Sequence, residues 1–270
     1  MAAAKALKEI NMKKLHTLIA ATLMIMTGFS AFALDGKEIM EKVYDREKPE
    51  FTKAAVELTL TAKNGAKEVR HVGEYGRDKN GTSDIVMVFL SPASVKNTRF
   101  LQKQNKGAED DKWIYLPSLR TTRRVASSDG DKPFVGTDFT YDDMSTRKVE
   151  EDTHEYLKDE KHGDFDCYVV KSTPKDNKSQ YLYRISWVDK DSMLPVFIEM
   201  YDKKGKLLKT SEVTKLEKKQ GNRLYNVPME EVMTNVQTGH STTLKMKSIE
   251  IDKPLADGYF SPNFLSTGRL

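Results

Sequence analysis

From residue 51 onward the chain repeats one unit, a run of alternating apolar and polar residues followed by a short polar turn. Val56, Leu58 and Leu60 alternate with Glu57, Thr59 and Thr61, the period of two that marks a half-buried strand. Asn64-Gly65 comes next, a dipeptide that favours the tight turn of a hairpin. Asp84 to Leu90 is almost continuously apolar and is stopped by Pro92. Further strands are predicted over 98–104, 113–116, 155–161, 165–173, 180–188, 196–201, 206–218, 223–237 and 241–251. Connections such as Lys203-Lys204-Gly205, Lys219-Gln220-Gly221-Asn222 and Thr238-Gly239 are short and carry glycine, as hairpin loops do. About eleven strands with almost no helix between them predict a mainly β, antiparallel meander and exclude a parallel α/β sheet.

Helical signals are few. Asp35 to Tyr44 reads as a helix, with Asp35 as its cap, Glu38 in capping-box position, and Ile39, Met40 and Val43 on one face. Short turns are expected near Tyr141 and over Ser261 to Leu265. Within the strands, Tyr181, Tyr183, Ile185 and Trp187 are expected on one face with Arg184 and Ser186 turned away, and Val196, Ile198 and Met200 on another. One reading is an ordinary core under the first helix and the Phe139 to Met144 segment. The other starts from volume: so little helix cannot fill one side of so large a sheet, which leaves room for a cavity. The twelve methionines suit a lining that adapts to flexible chains and also suit ordinary core filling.

The most informative stretch is Lys112 to Met144. An aromatic run, Trp113-Ile114-Tyr115-Leu116, ends at Pro117, and a basic run follows at Arg120, Arg123 and Arg124. A polar loop, Ser127 to Lys132, then leads to Phe134, Phe139, Tyr141 and Met144. Large apolar groups delivered by a loop form either a plug over the protein's own core or the mouth of an apolar pocket.

The series W-x-Y-x-P-S-L-R-x-x-R-R from Trp113 to Arg124, followed by F-x-G-x-D-F-x-Y-D-D from Phe134 to Asp143, resembles the bacterial outer-membrane lipoprotein-sorting protein family with the LolA-like fold. That resemblance implies a strongly curved, incompletely closed antiparallel sheet, a half-barrel wrapped over a few short helices, with an apolar cavity for acyl chains. It extends more weakly over the region after residue 33. LolA proper is a distant relative of this branch, so the cargo does not transfer with the fold. The expected lining comes from four parts of the chain. Val56, Leu58, Leu60, Val86 and Val88 come from the early strands, and Trp113 and Tyr115 from the aromatic run. Phe134, Phe139, Tyr141 and Met144 come from the loop, and Tyr183, Ile185, Trp187, Ile198 and Met200 from the later strands. Arg120, Arg123 and Arg124 are either solvated edge protection or a rim that meets lipid phosphate or an acidic patch on a transporter. Asp138, Asp142 and Asp143 could instead pair with those arginines.

Met12 to Ala33 reads as a secretory signal peptide, with Lys13 and Lys14 before a mostly apolar run and Ala31-Phe32-Ala33 as the cleavage signal. Cleavage after Ala33 leaves one domain over 34–270 in the periplasm, and residues 1–11 are expected to precede the true start. The whole chain has 44 basic and 40 acidic residues, and that cleavage leaves 40 against 39. Balanced charge argues against a nucleic-acid protein. Cys167 is alone and reads as a small buried hydrophobe.

Catalytic motifs fail on inspection. His154-Glu155 begins a zinc motif that has Lys158 where the second histidine belongs, and Asp189 to Met200 lacks the glycine and glutamate of a calcium loop. No nucleophile elbow or phosphate loop is present, and His71, His154, His162 and His240 are scattered. The expectation is therefore no enzyme, no cofactor, no metal and no catalytic residue. The leading reading is a monomeric periplasmic carrier of lipoprotein or lipid acyl chains. It would be loaded by an inner-membrane transporter of the RND/MMPL or ABC type and would deliver to an outer-membrane acceptor. The alternatives are an envelope-stress signalling module of the same fold and an envelope hydrolase.

Overall fold

The structure, a computed structural model, describes residues 35–270. The expected signal peptide, its cleavage site and the upstream start lie outside the described residues. Thirteen strands form a single antiparallel sheet. From its middle, β1 (Phe51–Thr61), β2 (Lys67–Lys79), β3 (Thr82–Ser91), β4 (Arg99–Lys103), β5 (Asp111–Leu116) and β6 (Thr121–Arg124) step out to one edge. The other edge is β7 (Asp152–His162). From there β8 (Phe165–Pro174), β9 (Tyr181–Asp189), β10 (Pro195–Asp202), β11 (Leu207–Gln220), β12 (Leu224–Asn235) and β13 (His240–Ile251) step back to the middle. There β13 pairs with β1. The sheet is curved and its edges β6 and β7 do not meet.

Residues 125–151 join those two edges, and we call them the strap. Cross-strand partners share a face, so the register fixes what the strap covers. Val56, Leu58, Leu60, Val72, Met87, Phe89, Phe100 and Ile114 point into the concave side and form one buried cluster with Phe134, Phe139 and Tyr141 of the strap. The Phe134 ring is the anchor, with its centre 4.9 Å from that of Phe100 and 5.7 Å from that of Tyr141, both edge-on. Before Gly136, the β-branched Val135 is forced to φ 49°, a strained conformation that persists because its neighbours hold it. The guanidinium of Arg70 donates to its carbonyl oxygen.

The helix α1 (Gly36–Asp45) lies over β7 and β8, burying Ile39 and Val43 against Val170 and Val188. Asp35 caps it, accepting from the Lys37 amide at 2.9 Å. Gly36 is required by closeness, since a Cβ there would stand 2.6 Å from the backbone nitrogen of Tyr156. The second helix, α2 (Pro262–Thr267), is where a turn was expected, but on the opposite side of the sheet. With Phe260 it buries Phe264 and Leu265 against Val86 and Leu101.

Several expectations need correction. The two strands missing from the predicted eleven are β2, which is dense in charge and interrupted by Gly73 and Gly76, and β6, only four residues long. Val86, Val88, Trp113 and Tyr115 face outward, packed under the C-terminal segment. Their runs are apolar on both faces, so no alternation marks the inward side. In β9 the expected faces are reversed. Tyr201 pairs with Tyr183 while Asp202 pairs with Tyr181, so Leu182 is an extra residue in a bulge. Tyr181 stays inward, Arg184 and Ser186 turn inward after it, and Tyr183, Ile185 and Trp187 turn outward beside Tyr201 and Phe197. Ile198 and Met200 do share the inward face.

Two outcomes are expected from this packing. Phe134→Ala should destabilise the fold by about 3–5 kcal/mol in denaturant titration, and a change below about 1 kcal/mol would show that the strap is not anchored by that ring. Glu74 faces inward between Ala54 and Met87, and burial pushes its carboxyl up to about 7. The fold thus favours the protonated form, a contribution complete at acid pH and lost as pH rises through that value. Glu74→Gln should raise Tm at about pH 8 and leave it nearly unchanged at about pH 5. Equal shifts at both pH values would contradict a buried, titrating carboxyl.

Candidate functional site

The strap fills the concave face over β1–β5 and leaves a gap over β8–β12. That gap is a cavity of about 430 Å³, inside the range of ~300–1,000 Å³ usual for small-molecule sites. Its floor carries Ser172 of β8, Tyr181, Arg184 and Ser186 of β9, Ile198 and Met200 of β10, Ser211 of β11, and Glu231 and Met233 of β12. Phe139, Asp142, Asp143 and Arg147 of the strap form the roof, and Met40 and Val43 of α1 form a wall.

Three aspartates fasten the strap to the sheet. The Asp138 carboxylate accepts from the Thr242 hydroxyl at 2.7 Å and lies 2.7 Å from Nδ1 of His240. Asp142 accepts from Lys112 Nζ at 2.9 Å. Asp143 accepts from the Tyr181 hydroxyl at 2.9 Å, from the Thr140 amide at 2.9 Å and from Lys209 Nζ at 3.2 Å. Lys209 also donates to the Asp138 carbonyl at 2.6 Å. Burial first, and then the Asp143 charge, pushes the Tyr181 phenol far above its ordinary value, so it remains a donor. These pairings replace the alternative in which the aspartates meet Arg120, Arg123 and Arg124.

The floor mixes apolar and charged groups, which corrects the expectation of an apolar lining. Its source is the Leu182 bulge, which aims Arg184 inward. Arg147 holds both Asp152 oxygens through Nε, at 2.8 and 2.9 Å. Burial raises the Glu231 carboxyl, and the Ser211 hydroxyl donates to it at 2.5 Å. Of the residues expected to line a pocket, the cavity brings together Phe139, Ile198 and Met200. Val56, Leu58, Leu60, Phe134, Tyr141 and Met144 belong to the packed half. Arg120, Arg123 and Arg124 are exposed at the β5–β6 hairpin and do not line the cavity; Arg124 pairs with Asp111, and Arg123 lies 3.9 Å from Asp129. Arg184, Ser186, Glu231 and Met233 were not anticipated. A charged residue inside an apolar strand run was the available signal, and the alternation rule pointed it the wrong way.

Among the described residues, no group of three or more His, Cys, Asp or Glu could hold a metal. The histidines are separately engaged: His71 with Ser91, His154 with Ser172 and the Val149 carbonyl, His162 stacked on Phe197, and His240 with Asp138. Cys167 is buried, and burial pushes its thiol up to about 11, away from a nucleophilic thiolate.

Residues 81–267 match a family model described as an uncharacterized protein. No curated protein matches. An outer membrane lipoprotein-sorting protein domain from Vibrio parahaemolyticus is 31% identical, with 86% of this chain and 98% of that one covered at a TM-score of 0.80. A DUF1329 family protein from Desulfovibrio piger is 24% identical, covering 85% and 97% at 0.79. A LolA superfamily protein from Nitrosomonas europaea is 20% identical, covering 86% and 100% at 0.65. By its 31% identity with the Vibrio domain over nearly the whole of both, this chain belongs to the bacterial outer-membrane lipoprotein-sorting protein family with the LolA-like fold.

Proposed function

We propose that the protein is a periplasmic carrier that holds an acyl chain of a lipoprotein or lipid in the cavity beneath the strap. The observation that carries this reading is the 430 Å³ space itself, with Met40, Val43, Phe139, Ile198, Met200 and Met233 on its walls. Hydrocarbon buried there gains ~0.8 kcal/mol per CH₂, enough for reversible binding without any chemical step. Methionine and isoleucine side chains adapt to a flexible tail. The carrier acts as a monomer, takes its cargo from an inner-membrane transporter of the RND/MMPL or ABC type, and passes it to an outer-membrane acceptor. Arg120, Arg123 and Arg124, exposed along the β5–β6 hairpin, are the transporter contact in this reading.

Delipidated protein should take up a fluorescent acyl probe saturably, and no uptake would overturn the carrier reading. Ile198→Trp, which fills the floor, should weaken the probe by about tenfold or more while Tm stays near that of the parent. Unchanged affinity would move the site elsewhere. Photo-crosslinking from position 120 in envelope membranes should recover a transporter subunit. Recovery of an anti-sigma factor instead would favour the signalling reading.

A further inference from the structure

The centre of the cavity floor is the guanidinium of Arg184. It stands between Ser172 on β8 and Met200 on β10, its cross-strand neighbours, and stacks on the Tyr181 ring at 4.7 Å. Its Nη1 is buried and meets no hydrogen-bond acceptor among the described residues. The carboxylate within ion-pair distance is Asp152, at 3.8 Å, too far for a hydrogen bond and already held by Arg147. Burial, with Arg147 as a second cause, pulls the Arg184 guanidinium below its ordinary value, the mark of a cation short of partners.

The other acids around the cavity have partners elsewhere: Glu109 accepts from Lys178 Nζ, Glu151 from the Lys148 amide and Asp176 from the Lys178 amide. Asp143 is engaged by Lys209 and Tyr181, and Asp142 by Lys112. Burial pushes Asp110 and Glu231 toward their neutral forms. The Arg184 side chain is 18% exposed and lines the cavity, so a ligand meets the accessible edge of a planar fork that takes a carboxylate or phosphate through paired, charge-assisted hydrogen bonds. Beside it the floor turns apolar, through Met200 and Ile198 to Met233. Polar and apolar walls therefore meet within one cavity.

We infer that the cavity takes an anionic amphiphile head-inward, with its carboxylate or phosphate on Arg184 and its hydrocarbon against Ile198, Met200 and Met233. The inference rests on the carrier reading and specifies its cargo. It places the charged head of the cargo beneath the strap, away from the exposed arginines of the β5–β6 hairpin.

The test is isothermal titration of the delipidated protein with palmitate, hexadecyl phosphate, hexadecanol, acetate and inorganic phosphate. Palmitate or hexadecyl phosphate should bind about tenfold or more tightly than hexadecanol, which has the same chain without the charge. Arg184→Gln should remove that preference while leaving hexadecanol affinity within about twofold, and Arg184→Lys should restore part of it. Acetate and inorganic phosphate should fail to displace palmitate. Equal binding of charged and neutral chains by the parent protein would overturn the inference and leave the carrier reading standing. Binding of none of the long chains would remove both. Displacement of palmitate by inorganic phosphate or acetate at comparable concentration would make the site one for a free anion, and the head-inward amphiphile would be wrong. The comparison within the parent protein decides the matter even if Arg184→Gln does not fold.

Discussion

The buried ammonium of Lys209 holds the strap to the β8–β12 half of the concave face. Lys209 rises from β11, donates to the Asp138 carbonyl and reaches the Asp143 carboxylate, and both its side chain and that of Asp143 are only 6% exposed. Removing one partner of such a pair leaves an uncompensated charge in low dielectric and costs about 3–5 kcal/mol. The interaction also dictates direction. Tyr181 from β9 converges on the same carboxylate, and Thr242 and His240 from β13 on Asp138. The strap is thereby tied to three strands, β9, β11 and β13, with Phe134 and Tyr141 sunk into the β1–β5 half and the β8–β12 half roofed but unfilled.

That asymmetry explains why a cavity persists in a sheet that could otherwise collapse on itself. On the packed side, Phe89, Phe100, Phe134 and Tyr141 occupy the concave space with rings at ordinary aromatic separations. On the other side the inward positions are Ser172, Arg184, Ser186 and Ser211, among only a few large apolar groups. Small hydroxyls and a charged fork do not fill volume, and of the strap's aromatic residues Phe139 borders the space while Phe134 and Tyr141 do not. Close packing of one half and short polar side chains in the other are two consequences of one register, set at β1–β13 and carried outward strand by strand.

Most of the meander was legible because its strands alternate and its turns carry glycine, and the motif from Phe134 to Asp143 marked the strap before any coordinates. What stayed hidden depends on contacts between distant residues. A bulge at Leu182 reverses every face after it, and nothing local in Tyr181 to Trp187 announces an extra residue. Runs such as Trp113 to Leu116 are apolar on both sides because α2 covers the outer face, a contact with a segment nearly 150 residues away. The aspartates had plausible arginine partners nearby in sequence, but the lysines that hold Asp142 and Asp143 come from β5 and β11. The volume argument for a cavity held, while its polarity was misread for the same reason that Arg184 was.

The two ends of the strap are held by different physics, and that difference bears on how a ligand could pass. Toward β6 the anchorage is ring packing and buried pairs, which open only when the core does. Toward β7 the strap and its neighbours rely on contacts near water: Lys178 with Glu109, where the side chains are 73% and 60% exposed, and the Lys148 ammonium on the Ala108 carbonyl. Exposed pairs of this kind contribute roughly 0–1 kcal/mol each and weaken with salt. The stretch from Ser145 to Glu151 is tied by fewer buried groups than Phe134, Asp138 and Asp143, although Val149 is buried and its carbonyl lies 2.9 Å from Nε2 of His154. Arg147 is its firmest remaining tie, through the bidentate bond to Asp152, and Asp152 is also the carboxylate closest in charge to Arg184. One carboxylate thus stands between roof and floor, hydrogen-bonded to Arg147 and 3.8 Å from Arg184.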